Sequence, residues 1–393
     1  MENLKKIVLI LSVVLTTYSF ARPFNPEDEI TIEEISPERD SATVYLKEGK
    51  SKNKTGDYVG AVKLFTKALE FDPLFAEAYL CRASAKNKLL DYNSALDDYA
   101  NVIKLHLTWE ESYEAYYNKG LTQALLNNLK DALTDFDHAI KLNPEYADAY
   151  FNRSIVKGRF GDYRGELADI NKVIEIRPAD SEAYNSRGIV KSILGDYPGA
   201  MKDYNQALKL DNLNASSYFN RGIILYEQGF YKAAMEDYNT AIDLHPDAET
   251  YNRRATIKYT LGDYSGAFDD YSAAIRNQPS YFQTYLNRGY LKYGLKDYKS
   301  AIDDYTMAIQ LKKDCAAAYY YRGIAKGKLA DYKGEISDYN HAIEFQPNYD
   351  KAYNNRGLAK YNIGDKRGGC SDLDKAIQLG YSSAYDFLVE NCK

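Results

Sequence analysis

The sequence predicts an all-α solenoid of about ten helical hairpins followed by a C-terminal capping helix, and three observations predict it. From residue 42 onward one pattern recurs every 34 residues, with single steps of 37 and 33. Within each copy, apolar and small residues fall at helical spacing on two segments parted by a turn. A tyrosine stands at the fourth position of every copy: Tyr45, Tyr79, Tyr116, Tyr150, Tyr184, Tyr218, Tyr251, Tyr285, Tyr319 and Tyr353. Copies start near residues 42, 76, 113, 147, 181, 215, 248, 282, 316 and 350.

Composition narrows the function before any motif is read. The 393 residues are 45% hydrophobic and 27% charged, enough apolar mass for a sizeable core. A net charge of −6 argues against a nucleic-acid binder. Four cysteines and four histidines are too few and too scattered for a metal-rich or disulfide-scaffold protein. The abnormal figure is 39 tyrosines against one tryptophan. Positions 4, 17 and 24 of the copies account for 24 of them, so most of the excess is repeat framework.

The chain begins with a basic start at Lys5 and Lys6, then an apolar run from Ile7 to Leu15. Ser19 and Ala21 are the small residues that a signal peptidase inspects, which predicts a signal peptide over 1–21, cleaved after Ala21. Nine apolar residues are too few to cross a bilayer, which needs about 20, and no later stretch is long enough, so no membrane insertion is expected. Residues 22–41 carry seven acids, two bases and three prolines. That composition fits a solvated acidic linker or, alternatively, an acidic arm that docks on the protein's own body. The expected location is exported, periplasmic or secreted.

Each copy of the 42–381 array reads as two helices. Positions 4, 8 and 11 share a face of the first, and positions 20, 24 and 27 share a face of the second. A Gly-Asp-Tyr or similar turn lies at 15–17. Proline at position 32 (Pro73, Pro144, Pro178, Pro246, Pro279 and Pro347) ends the second helix, because proline cannot continue one. One such hairpin is too small to bury its apolar face; stacking buries it.

This spacing resembles the tetratricopeptide repeat (TPR) family, over residues 42 to about 383. Tyr218, Gly222, Ala234, Tyr238, Ala241 and Pro246 meet its pattern at positions 4, 8, 20, 24, 27 and 32. The family's large apolar residue at position 7 is replaced by arginine in eight copies. The resemblance implies a right-handed superhelix whose first helices line a concave groove that binds an extended peptide or a partner's helix. Positions 2, 5, 6, 9 and 12 would face that groove. Candidate groove residues are Tyr117, Phe151, Asn152, Phe219, Asn220, Tyr226, Tyr259, Leu286, Asn287, Tyr293, Tyr320 and Tyr361. The asparagines among them could bond a peptide backbone through both amide groups. Relatives that grip a C-terminal carboxylate use lysine at 5 and asparagine at 9; no copy here has either.

The copies serve as one another's alignment. Position 23 is aspartate in nine copies; the first alone lacks it, with Leu64, and that copy has Glu48 rather than a base at position 7. Positions 7 and 23 are therefore expected to form a cross-helix ion pair. Lysine at 11 and aspartate at 16 occur together in eight copies and are lost together as Gln123/Asn128 and Leu225/Phe230. That co-loss suggests a clasp over the turn; the competing account is that those copies diverged as wholes.

No Walker loop, GxGxxG, HExxH or GxSxG is present. His106 and His245 occupy position 31, His138 and His341 position 26, separated by whole repeats. No enzyme activity and no cofactor is expected. The primary reading is an exported scaffold binding a protein or peptide partner; the alternative is a cell-wall or glycan-binding protein using its tyrosines. At the end, 382–393 reads as a capping helix. Antiparallel neighbours would bring Cys392 beside Cys370, predicting a disulfide, with Cys81 and Cys315 as free thiols.

Overall fold

A computed structural model describes residues 37–105 and 109–392 of the chain. The signal segment, most of the acidic segment and His106 lie outside the described residues. Two compact units divide at Leu107/Thr108. The first holds α1 (Pro37–Lys54), α2 (Tyr58–Phe71), α3 (Ala76–Lys88) and α4 (Tyr92–Lys104), which are repeats one and two. Residues 37–41, assigned above to the acidic segment, are helical and open α1.

The second unit holds repeats three to ten as α5 (Trp109–Leu125), α6 (Leu129–Leu142), α7 (Ala147–Arg159), α8 (Tyr163–Ile176), α9 (Ser181–Ile193), α10 (Tyr197–Leu210), α11 (Ala215–Glu227), α12 (Tyr231–Leu244), α13 (Ala248–Thr260), α14 (Tyr264–Asn277), α15 (Phe282–Gly294), α16 (Tyr298–Leu311), α17 (Ala316–Lys328), α18 (Tyr332–Phe345), α19 (Asp350–Asn362) and α20 (Lys366–Gln378). A short 3-10 turn, Ser382–Ala384, leads to α21 (Tyr385–Cys392), and a disulfide joins Cys370 on α20 to Cys392. Cys81 and Cys315 are outside any disulfide. Among the described residues every regular element is helical. Within each unit, each helix packs chiefly on the one before and the one after it, which is the contact pattern of a solenoid.

Close approach inside the hairpin explains the small residues. A Cβ on Gly222 would sit 2.7 Å from the Tyr238 ring, and glycine stands at position 8 in six of the eight copies with an aromatic ring at 24, Ala83 and Ala255 being the exceptions. At position 15 the backbone is left-handed. Glycine takes it in six copies; Leu90, Asn127, Lys296 and Ala330 adopt it at φ of 61° to 66° against the usual preference.

The ion pair between positions 7 and 23 is present in every repeat from two to ten. Arg221 is typical: Nε donates to Asp237 Oδ2 at 2.8 Å and Nη2 to Oδ1 at 2.6 Å. Repeat three uses Lys119 on Asp135 at 2.7 Å. All nine aspartates are buried. The guanidinium does more than pair. It lies over its own position-4 tyrosine, 5.5 Å away for Arg221 and Tyr218. Its Nη1 donates to position 25 of the preceding repeat, as from Arg221 to Asn205 at 2.7 Å and from Arg187 to Asn171 at 3.0 Å. The departure from the family pattern at position 7 thus fastens each arginine-bearing hairpin to its predecessor, with the planar fork that arginine supplies.

The clasp between positions 11 and 16 needs correction. Only repeat one has it, Lys52 to Asp57 at 3.0 Å. In seven other repeats the lysine reaches the buried aspartate at 23 instead, as Lys191 reaches Asp203 at 2.8 Å. The aspartate at 16 caps the second helix: Asp196 accepts from the Gly199 N–H at 2.9 Å. Buried carboxylate oxygens draw the lysine more strongly than a solvated one across a turn does.

Candidate binding face

The first helices of repeats three to ten place positions 5, 6, 9 and 12 on one row. Position 9 holds its exposed apolar side chains: Ile155 is 37% and Tyr290 44% exposed. At position 12, Tyr226, Tyr259, Tyr293 and Tyr361 are half-buried, and each leans on a neighbour. Tyr226 meets Tyr231 at 5.5 Å, Tyr259 meets Tyr264 at 5.5 Å, Tyr293 meets Tyr298 at 5.4 Å and Tyr361 meets Phe387 of the cap at 5.2 Å.

Position 5 differs from expectation. Leu286 (9% exposed) and Tyr320 (8%) are core residues. Phe151 and Phe219 are half-buried; Arg253 of the next repeat lies 5.4 Å over the Phe219 ring. Tyr117 packs against Tyr146 at 4.9 Å, and burial pushes its hydroxyl pKa upward. The following repeat covers position 5 in each case.

The asparagines at position 6 are already engaged. Asn152 donates to the Tyr117 hydroxyl at 3.1 Å, Asn220 to Asn185 Oδ1 at 3.1 Å, Asn287 to Asn252 Oδ1 at 3.1 Å and Asn355 to the Tyr320 hydroxyl at 3.2 Å. These bonds link repeats three to four, five to six, seven to eight and nine to ten. At the alternate junctions position 5 is Phe151, Phe219 or Leu286, which accepts no such bond. The array therefore alternates with a period of two hairpins. Sequence reading missed this, although the signal was there: an acceptor at 5 followed 35 residues later by asparagine at 6.

Acid–base chemistry has little purchase on this face. Burial, with Asp162 adding to it, pushes Glu166 up to about 7, and burial raises Glu335, which accepts from the Tyr339 hydroxyl at 3.0 Å. Both stand at position 20, where most copies have alanine, opposite glycine at position 12. Among the described residues no group of three His, Cys, Asp or Glu side chains could hold a metal, and no helix is long and apolar enough to cross a membrane.

Stacked helical hairpins with a repeated side-chain row define a helical-repeat protein of the interaction class. The chain carries tetratricopeptide repeats. Tetratricopeptide repeat descriptions match residues 113–146, 215–248 and 252–314, and a TPR repeat description matches 193–229. No curated protein matches the chain. Among solved structures it is similar to the Cut9–Hcn1 hetero-tetramer of the APC/C, at a TM-score of 0.52 and 13% identity, covering 91% of this chain and 84% of that one. A tetratricopeptide repeat protein from Parabacteroides merdae ATCC 43184 gives a TM-score of 0.52 at 19% identity, over 64% of this chain and 98% of that one. Both likenesses concern the fold. The matched repeats support a protein-interaction scaffold.

Proposed function

We propose that the chain is an exported, non-enzymatic scaffold that binds an extended segment or a helix of a partner protein along its first-helix row. The observation that carries this is the largely apolar row at position 9, exposed at Ile155 and Tyr290 and half-buried elsewhere, flanked by half-buried tyrosines at position 12. Apolar anchors on a rigid repeated face suit recognition of an extended peptide. Two measurements test it. In a pull-down from an envelope fraction, a partner retained by the wild-type chain is lost from the Ile155→Ser, Tyr226→Ala variant while the melting temperature stays nearly constant. Retention by the variant sinks the groove reading. For export, mass spectrometry of protein made with its own leader gives an N-terminus at Arg22; an intact leader removes that part.

A further inference from the structure

Between repeats seven and nine the first-helix row changes chemistry. Tyr290 on α15 and Tyr321 on α17 stand where most copies have aliphatic or amide side chains, beside Tyr259 on α13 and Tyr293 on α15. Ring centroids run 5.8 Å from Tyr259 to Tyr290 and 5.5 Å from Tyr290 to Tyr321. Tyr321 stacks at 6.0 Å on Tyr305 of α16, which is wholly buried.

The Tyr305 hydroxyl has no hydrogen-bond partner. Three equivalent tyrosines at position 24 have one: Asn87 donates to Tyr99, Thr256 meets Tyr271, and Tyr339 donates to Glu335; Tyr238 shares the lack with Tyr305. Burial first, then the nearby phenols of Tyr321, Tyr290 and Tyr293, holds the Tyr305 hydroxyl protonated well above the usual tyrosine range. It stands there as a buried donor lacking an acceptor, beside those phenols. Burial first, then neighbouring phenols, raises the hydroxyls of Tyr259, Tyr293 and Tyr321. The nearest carboxylate, Asp304, is held by Arg288 and Lys292.

The cluster thus offers ring faces and O–H donors, and its side-chain acceptors are the phenol oxygens themselves. A glycan brings many hydroxyl donors, and an ordinary peptide brings one N–H per residue, more than four phenol oxygens can accept. A proline-rich segment brings carbonyl acceptors, apolar rings and no N–H at each proline. Its extended polyproline-II form is ordered before binding and suits aromatic-lined surfaces. We propose that the phenol cluster of repeats seven to nine binds a proline-rich, polyproline-II segment of a partner protein. The proposal rests on the scaffold reading and adds the partner's chemistry.

The test titrates the full chain into fluorescein-labelled decaproline and follows anisotropy. A proline-free Ala/Gly/Ser peptide of equal length and an N-acetylglucosamine oligosaccharide are run beside it. Decaproline is expected to bind. Tyr290→Ala should weaken binding by about 10-fold or more, while Tyr197→Ala, exposed but off the cluster, leaves it unchanged. Tyr305→Phe, which removes one buried oxygen, should weaken binding by about 5-fold with an equal or higher melting temperature. A purely structural hydroxyl would raise stability and leave binding alone. Absence of decaproline binding at millimolar concentration overturns the proposal, as does binding indifferent to both Tyr290→Ala and Tyr305→Phe. Proline-free binding lost in Tyr290→Ala overturns the choice of proline and leaves the groove reading standing. Oligosaccharide binding lost in that variant overturns both.

Discussion

In the first hairpin Lys52 reaches Asp57 at 3.0 Å across the turn; in the second, the equivalent Lys86 turns inward and reaches Asp98 at 2.7 Å. The two hairpins belong to one compact unit and share a left-handed turn residue, Gly56 and Leu90. Two of their differences decide the lysine's partner. Repeat one has Glu48 and Leu64 where repeat two has Arg82 and Asp98. Asp98 takes the Arg82 fork at 3.0 and 2.7 Å and still offers an oxygen to Lys86. Without that carboxylate the lysine settles for the exposed cap residue. The lysine's partner is therefore chosen by burial, and the turn aspartate is a default.

The largest break in this comparison is Asp98→Ala, which strands both Arg82 and Lys86 in a poorly solvated site. A loss of about 3–5 kcal/mol is expected from removing one side of a buried pair, read from chemical denaturation with hydrogen exchange in α3 and α4. Replacing both partners, Arg82→Met with Asp98→Leu, should cost far less, because no charge is left unpaired. Equal losses from the single and double changes would mean the pair is mere packing.

Converting repeat one sharpens the same contrast. Glu48→Arg with Leu64→Asp rebuilds the pair, and a double-mutant cycle should return a coupling of about 1–3 kcal/mol. Lys52 then leaves Asp57. The Asp57 carboxyl, held below its usual range by the Gly60 N–H first and then by Lys52, should move upward in a carbon-detected NMR titration. An unmoved Asp57 would show that Lys52 stayed.

A smaller effect comes from Glu166, a carboxylate half-buried near Asp162 in repeat four. Its folded pKa, about 7, lies above the unfolded carboxylate range. The folded state therefore binds this proton more tightly. Its contribution is fully present below the unfolded pKa and is lost as pH rises through about 7. Allowing for solvent screening, Glu166→Gln should recover on the order of 1 kcal/mol at pH 8 and nothing at pH 4. Parallel pH profiles for the two proteins would rule this out. The smallest effect is Lys52→Ala, an exposed pair at a turn, which should leave the melting temperature where it was, whereas Lys86→Ala lowers it.

The hairpins and the pairing of 7 with 23 were legible because ten copies repeat one physical solution, and the odd copy loses the base at 7 and the carboxylate at 23 together, with Glu48 and Leu64 in their places. The partner of the lysine at 11 was not. Gln123/Asn128 and Leu225/Phe230 are lost as pairs, yet in intact repeats the two residues do separate jobs, one feeding Asp at 23 and one capping a helix. Gln123 and Asn128 do touch, at 2.9 Å, which is an amide bond standing where the clasp was expected. The groove list failed at Leu286 and Tyr320 for a related reason. A single copy shows which face of a helix a residue occupies, but whether the next copy covers it depends on that neighbour's position 6. The staple from arginine to position 25 was equally hidden, since Asn171, Asn205 and Thr306 read as ordinary polar surface.

The alternating amide bonds bear on how such an array can change length. Asn220 finds its acceptor on the repeat before it, and the next junction instead sets Arg253 over Phe219. Excising one hairpin would bring two like edges together, asparagine against phenylalanine or arginine against asparagine. Excising two restores the match. Gain and loss in this molecule's history should then run in even steps, and a circularly shortened variant with four, six or eight hairpins should fold where one with five or seven frays at the mismatched seam.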